Sequence, residues 1–97
     1  MTVFAVEYVY TANSTDARGE ARPAHREWTG ELAQAGTILA SGPYGDGAGA
    51  LLIFQAADEL ALNGILKQDP FAAAGVIAGT KITEWSPVTG QLAGYVA

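Results

Sequence analysis

Residues 3–10, VFAVEYVY, alternate little and are almost wholly apolar, with Glu7 as the single charge. A β-branched and aromatic run this short predicts a strand buried on most of both faces rather than a helix. Residues 11–20, TANSTDARGE, gather side chains that bond their own backbone or relax φ, and predict a loop. From 22 to 35 the period changes. His25, Trp28, Leu32 and Ala35 follow one another at helical spacing and share one face, Pro23 fits a first turn where its missing N–H has no intrahelical partner, and Gly36 is the natural stop.

The second half repeats the alternation of element types. Residues 37–44 and 50–56 are strand-like and flank GDGAG, a connection suited to an antiparallel hairpin. Residues 57–68 predict a second helix, capped by Asp58 and weakened by Gly64. DPFAAAG (69–75) predicts a short helical turn, and 76–88 a last strand in which Ile82 and Glu84 alternate with Thr83 and Trp85. Strand, helix, strand, strand, helix, strand is a split βαβ order. It predicts one domain, 1–97 with its core at about 3–85, in which both helices pack on one face of an antiparallel sheet. The other sheet face then needs cover, and a second copy of the chain is the expected source, with the tail 86–97 contributing. Trp28, Phe54, Phe71 and Trp85 are expected in the core.

Composition narrows the function classes. Apolar residues make up 49% of the chain and charged ones 15%, which excludes the signature of disorder. The net charge of −5 provides no basic footprint for nucleic acid. No apolar run approaches the roughly 20 residues of a membrane span, and no leader pattern opens the chain. Without cysteine there is no disulfide, thiolate nucleophile or thiolate metal site, so a soluble cytoplasmic protein is expected.

His25 is the only side chain whose ordinary titration lies near neutrality, and it is read two ways: a proton-transfer group, or a histidine hydrogen-bonded at the core edge. Asp69 precedes Pro70 and is pushed out of helical geometry, so its carboxylate either caps the PFAAA turn, meets His25, or does both. Arg22 is one turn from His25 and can hold an anionic group or stand as a solvated charge. Ser41, in LASGPY, either faces a cleft or makes ordinary strand-end hydrogen bonds. GDGAG lacks the lysine and following helix of a phosphate loop, and no ligand-spaced pair points to a metal, so neither metal nor cofactor is expected.

RPAH (22–25), AGTILASGP (35–43), DPF (69–71) and AGV (74–76), in this order, resemble the YCII-related domain family over about residues 3–85. The resemblance implies a ferredoxin-like α+β fold, βαββαβ, of the dimeric α+β barrel type, similar to muconolactone isomerases. It implies that His25 and Asp69 form the family's acid/base dyad. One branch of the family catalyses dehydrochlorination of a chlorinated hydroxyquinol. Arg26 stands where the family often has a bulky aliphatic residue, and residues 11–21 hold few of the basic residues found in some relatives. The expected partners are a second copy of the chain and a small anionic or aromatic ligand. A cofactor-free isomerase or hydrogen-halide lyase is one reading, a ligand-binding or structural homodimer the other.

Overall fold

Alternation along the first strand decides which side of the sheet is filled. In the computed structural model, which describes residues 1–95, β1 (Thr2–Tyr10) lies between β3 (Gly49–Ala56) and β4 (Ile77–Glu84), and β2 (Ile38–Pro43) pairs with the outer edge of β3. All neighbours are antiparallel. Phe4, Val6 and Tyr8 stand opposite Phe54, Leu52 and Ala50, none more than 5% exposed. Opposed residues of an antiparallel pair share a face, so this row forms the core. The helices α1 (Thr15–Gln34) and α2 (Glu59–Leu66) cover it through Trp28, Leu32, Leu62 and Ile65. The expected ferredoxin-like order is present, with a one-turn helix, α3 (Pro70–Ala73), between α2 and β4.

The first helix corrects the expectation made from the pattern. It begins at Thr15 rather than Arg22, so the loop is limited to residues 11–14 and Pro23 lies well inside the helix. Thr11 and Ser14 do tie down a loop, since Thr11 donates from Oγ1 to the Gly75 carbonyl at 3.1 Å and Ser14 Oγ donates to the Thr11 carbonyl at 2.6 Å. Beyond them, Ala17, Arg18, Glu20 and Ala21 are good helix formers, and Asp16 sits favourably in the first turn. Pro23 removes the donor to the Gly19 carbonyl, but both residues are exposed and water can reach that oxygen.

The predicted stop holds. Gly36, at φ +82°, allows Gly36 N–H to reach the Ala33 carbonyl at 3.1 Å and Thr37 N–H the Leu32 carbonyl at 2.9 Å, which is the paired Schellman closure. Asp58 caps α2 by accepting from the Ala61 N–H at 2.8 Å. Gly49 is fixed by crowding, because a Cβ there would lie 1.9 Å from the Tyr8 carbonyl oxygen.

The opposite sheet face carries Val3, Ala5, Val9, Leu51, Ile53 and, beyond the end of β4, Trp85. Trp85 is 43% exposed, so it leaves the predicted aromatic core, whereas Phe54 and Phe71 are buried in it. The alternation that places Ile82 inward turns Trp85 outward. Residues 96–97 of the predicted tail lie outside the described residues. Among the described residues no helix is long and apolar enough to cross a membrane.

Candidate functional site

Pro70 prepares the centre of the site. It holds Asp69 in extended geometry at φ −64° and ψ 123°, where the carboxylate turns back and Oδ1 accepts from the Phe71 N–H at 2.9 Å, capping α3. The same oxygen lies 2.7 Å from His25 Nδ1, and Oδ2 accepts from the Tyr8 hydroxyl at 2.7 Å. Asp69 is fully buried, so these partners replace water entirely. Capping and contact with the histidine occur together.

Two donors already aimed at the carboxylate make it an acceptor, and Nδ1–H is therefore the donor of the third bond. Burial, reinforced by Asp69, raises the Tyr8 phenol far above its ordinary titration range, so it stays protonated and donating. Nδ1 being engaged, Nε2 is left without a hydrogen-bond partner among the described residues. His25 lies in the middle of α1 instead of its first turn, so the helix terminus does not act on it. Its ring stacks on Phe71 at 3.9 Å and 4°, and its side chain is 15% exposed. Trp28 packs between His25 and Phe54, with its Nε1 buried and without a hydrogen-bond partner among the described residues.

The imidazole borders a cleft of about 270 Å³ between α1 and the β2–β3 end of the sheet. Arg22 and Ser41 both line it, so all four residues singled out in the sequence converge at one place. Ser41 reaches the cleft because it stands opposite Leu52 and shares its helix-facing side. Tyr10, Arg18, Arg26 and Thr29 line it too. Arg18, the one basic residue of 11–21, lies within the helix, whose geometry carries it over the Tyr10 ring, 4.3 Å from the centroid, and Ser14 Oγ accepts from its Nε at 3.1 Å. Partial burial raises the Tyr10 phenol, and Arg18 and Arg22 only partly oppose this.

Tyr8 was legible only as a core residue. Its one signal is a hydroxyl in an otherwise apolar inward row, where a buried phenol needs a partner. Arg18 was hidden by the loop assignment.

The fold and these contacts define a small α+β domain with a buried carboxylate–imidazole pair on the wall of a cationic cleft. The chain belongs to the YCII-related domain family, whose model matches residues 2–86. It is similar to the solved 5-chloro-2-hydroxyhydroquinone dehydrochlorinase of Burkholderia phenoliruptrix, in complex with 2,5-dihydroxybenzoquinone, at 25% identity and a TM-score of 0.76, over 86% of this chain and 92% of that one. An antibiotic biosynthesis monooxygenase shares the fold at 14% identity and a TM-score of 0.58, over 92% and 100% of the two chains. A second such structure, from Bacteriodes thetaiotaomicron, does so at 11% and 0.61, over 94% and 92%. No curated protein matches the chain in sequence.

Proposed function

We propose that the protein is a small-molecule enzyme of the lyase type, in which His25 moves a proton through Nε2 and Asp69 holds the ring. The observation that carries this reading is the division of the imidazole: Nδ1 is bonded to a fully buried carboxylate, while the ring borders the cleft and Nε2 has no partner among the described residues. A histidine that served only to satisfy the core has no need of a cleft lined by Arg22 and Ser41. Stacking on Phe71 and the bond to Asp69 restrict the ring to one orientation and one tautomer, which is what a general base requires before substrate arrives. Tyr8 is a positioning residue, since it acts through Asp69.

The reaction that fits is elimination of hydrogen halide from a small hydroxylated or enolised ring, and the likeness to the dehydrochlorinase supports this class. Nε2 takes a proton next to a carbonyl, the electron pair left behind forms a C=C bond, and halide departs with the electrons of the carbon–halogen bond. Arg22 and Ser41, which line the cleft, stand on the substrate side of the imidazole. Proton addition and removal at neighbouring carbons, an isomerisation, uses the same base.

The test is chloride release from chlorinated hydroxyquinols by the parent and by His25→Gln and Asp69→Asn. General acid–base catalysis is worth about 10² to 10⁴-fold, and losses of that size are expected in both variants with their folds retained. A parent that neither releases chloride nor isomerises lactones or enols would return the His–Asp pair to a structural role.

A further inference from the structure

We infer that the cleft selects substrates carrying a permanent anionic group, a carboxylate, in addition to the oxygens at the reacting carbon, and that Arg22 and Arg26 hold that group. The inference deepens the enzyme reading above and rests on it for the reacting end. Three of the five Lys and Arg residues of an acidic chain line this one cleft. They are Arg18, Arg22 and Arg26, each one helical turn from the next. Among the described residues no carboxylate side chain lines the cleft beside them.

Arg18 is partly occupied by Ser14, Thr15 and the Tyr10 ring. The guanidinium groups of Arg22 and Arg26 make no hydrogen bond and no ion pair among the described residues. Their helical neighbours three and four residues away are Arg18, Gly19, His25 and Arg26 for Arg22, and Arg22, Pro23, Thr29 and Gly30 for Arg26. None is acidic, so the helix itself provides repulsion and no compensation. A bound anion removes that repulsion, and the planar guanidinium fork suits the two oxygens of a carboxylate.

The remaining walls describe the rest of the ligand. Tyr10, Pro43, Leu52 and Phe71 give an apolar lining in which the Tyr10 and Phe71 rings stand edge to face, while Ser41 and Thr29 add neutral hydroxyls. A dry cavity of about 150 Å³ accommodates benzene, so about 270 Å³ takes one substituted ring. Arg22 is one turn from His25 on the same face of α1, which sets the carboxylate beside the reacting carbon rather than on it. The positive cleft in an acidic protein also draws such anions from solution.

The test compares two probes that differ only in the carboxylate, 2,5-dihydroxybenzoate and hydroquinone, titrated calorimetrically against the full chain at neutral pH and low salt. The expected result is binding of the carboxylated ring about tenfold tighter or more, as charge-assisted hydrogen bonds provide, with the preference lost in Arg22→Gln/Arg26→Gln and kept in His25→Gln. Equal affinity for the two probes, or a preference that survives the double arginine variant, overturns the inference. Should the double variant fail to fold, the parent decides: the preference must collapse at high salt, and a salt-independent preference refutes the assignment. Catalysis separates this inference from the reading it rests on. Carboxylate preference in a protein without turnover leaves the binding site standing and removes the enzyme. Equal kcat/KM for chlorinated hydroxyquinols with and without a carboxylate leaves the enzyme standing and removes the selectivity.

Discussion

Asp69→Ala removes the acceptor of three donors in one step. The Tyr8 hydroxyl and the Phe71 N–H are buried and have no alternative partner among the described residues, whereas His25 borders the cleft and can be reached by water. Counting only the two buried groups at about 1 to 3 kcal/mol each gives a loss of about 2 to 6 kcal/mol. The capping contribution of Asp69 is already contained in the Phe71 term. In a domain of this length 1 kcal/mol moves Tm by about 4 to 8 °C, so even the lower bound predicts a fall of about 8 °C.

Asp69→Asn behaves differently. Its amide oxygen still accepts from Phe71 and His25, and its NH2 group faces the Tyr8 oxygen, which can accept. One O–H is stranded, for about 1 to 3 kcal/mol. Urea unfolding of the parent and both variants, at pH 7 and with m values compared, measures the difference. The reasoning is refuted if the alanine variant loses under 1 kcal/mol, or if the asparagine variant loses as much as the alanine one.

Four further outcomes follow from the same contacts. His25→Ala is expected to cost about 1.5 to 3 kcal/mol in thermal or urea unfolding, because its ring is bonded to a charged group and stacked on Phe71 rather than standing loosely at a cleft edge. Above pH 10 stability is expected to fall, since the unfolded Tyr8 phenol ionises there and the folded one, raised by burial, does not; Tyr8→Phe should reduce the downward slope by about 1.4 kcal/mol per pH unit in unfolding measured between pH 10 and 12. Sedimentation at micromolar concentration is expected to give a homodimer through the sheet face opposite the helices, where Val9 and Trp85 are exposed, and Trp85→Lys should yield folded monomer. Gly49→Ala is expected to cost about 1 to 3 kcal/mol or more in urea unfolding, since its Cβ must displace the Tyr8 backbone.

Element types, their order and most stops were legible in the chain because they follow from local rules. The short β-branched and aromatic run of β1, the capping aspartates Asp58 and Asp69, and the glycine after α1 each act within a few residues of themselves. The spacing of His25, Trp28 and Leu32 likewise placed the imidazole on the covered stripe of its helix before any contact was known. The start of α1 was not legible, since Thr15, Asp16 and Gly19 carry the same loop chemistry as residues 11–14 while Ala17, Arg18 and Glu20 favour helix; the balance was decided by Thr11 and Ser14 bonding across to Gly75 and back to each other. That one decision also determined whether Arg18 belonged to the cleft. Tyr8, Asp69 and His25 are separated by 61 and 44 residues along the chain, and only the pairing of β1 with β4 and the packing of α1 on α3 bring them within hydrogen-bond distance. Sequence periodicity reports which way a side chain faces, while a contact between distant residues depends on how faces from different elements meet, and that is a property of the packed chain alone.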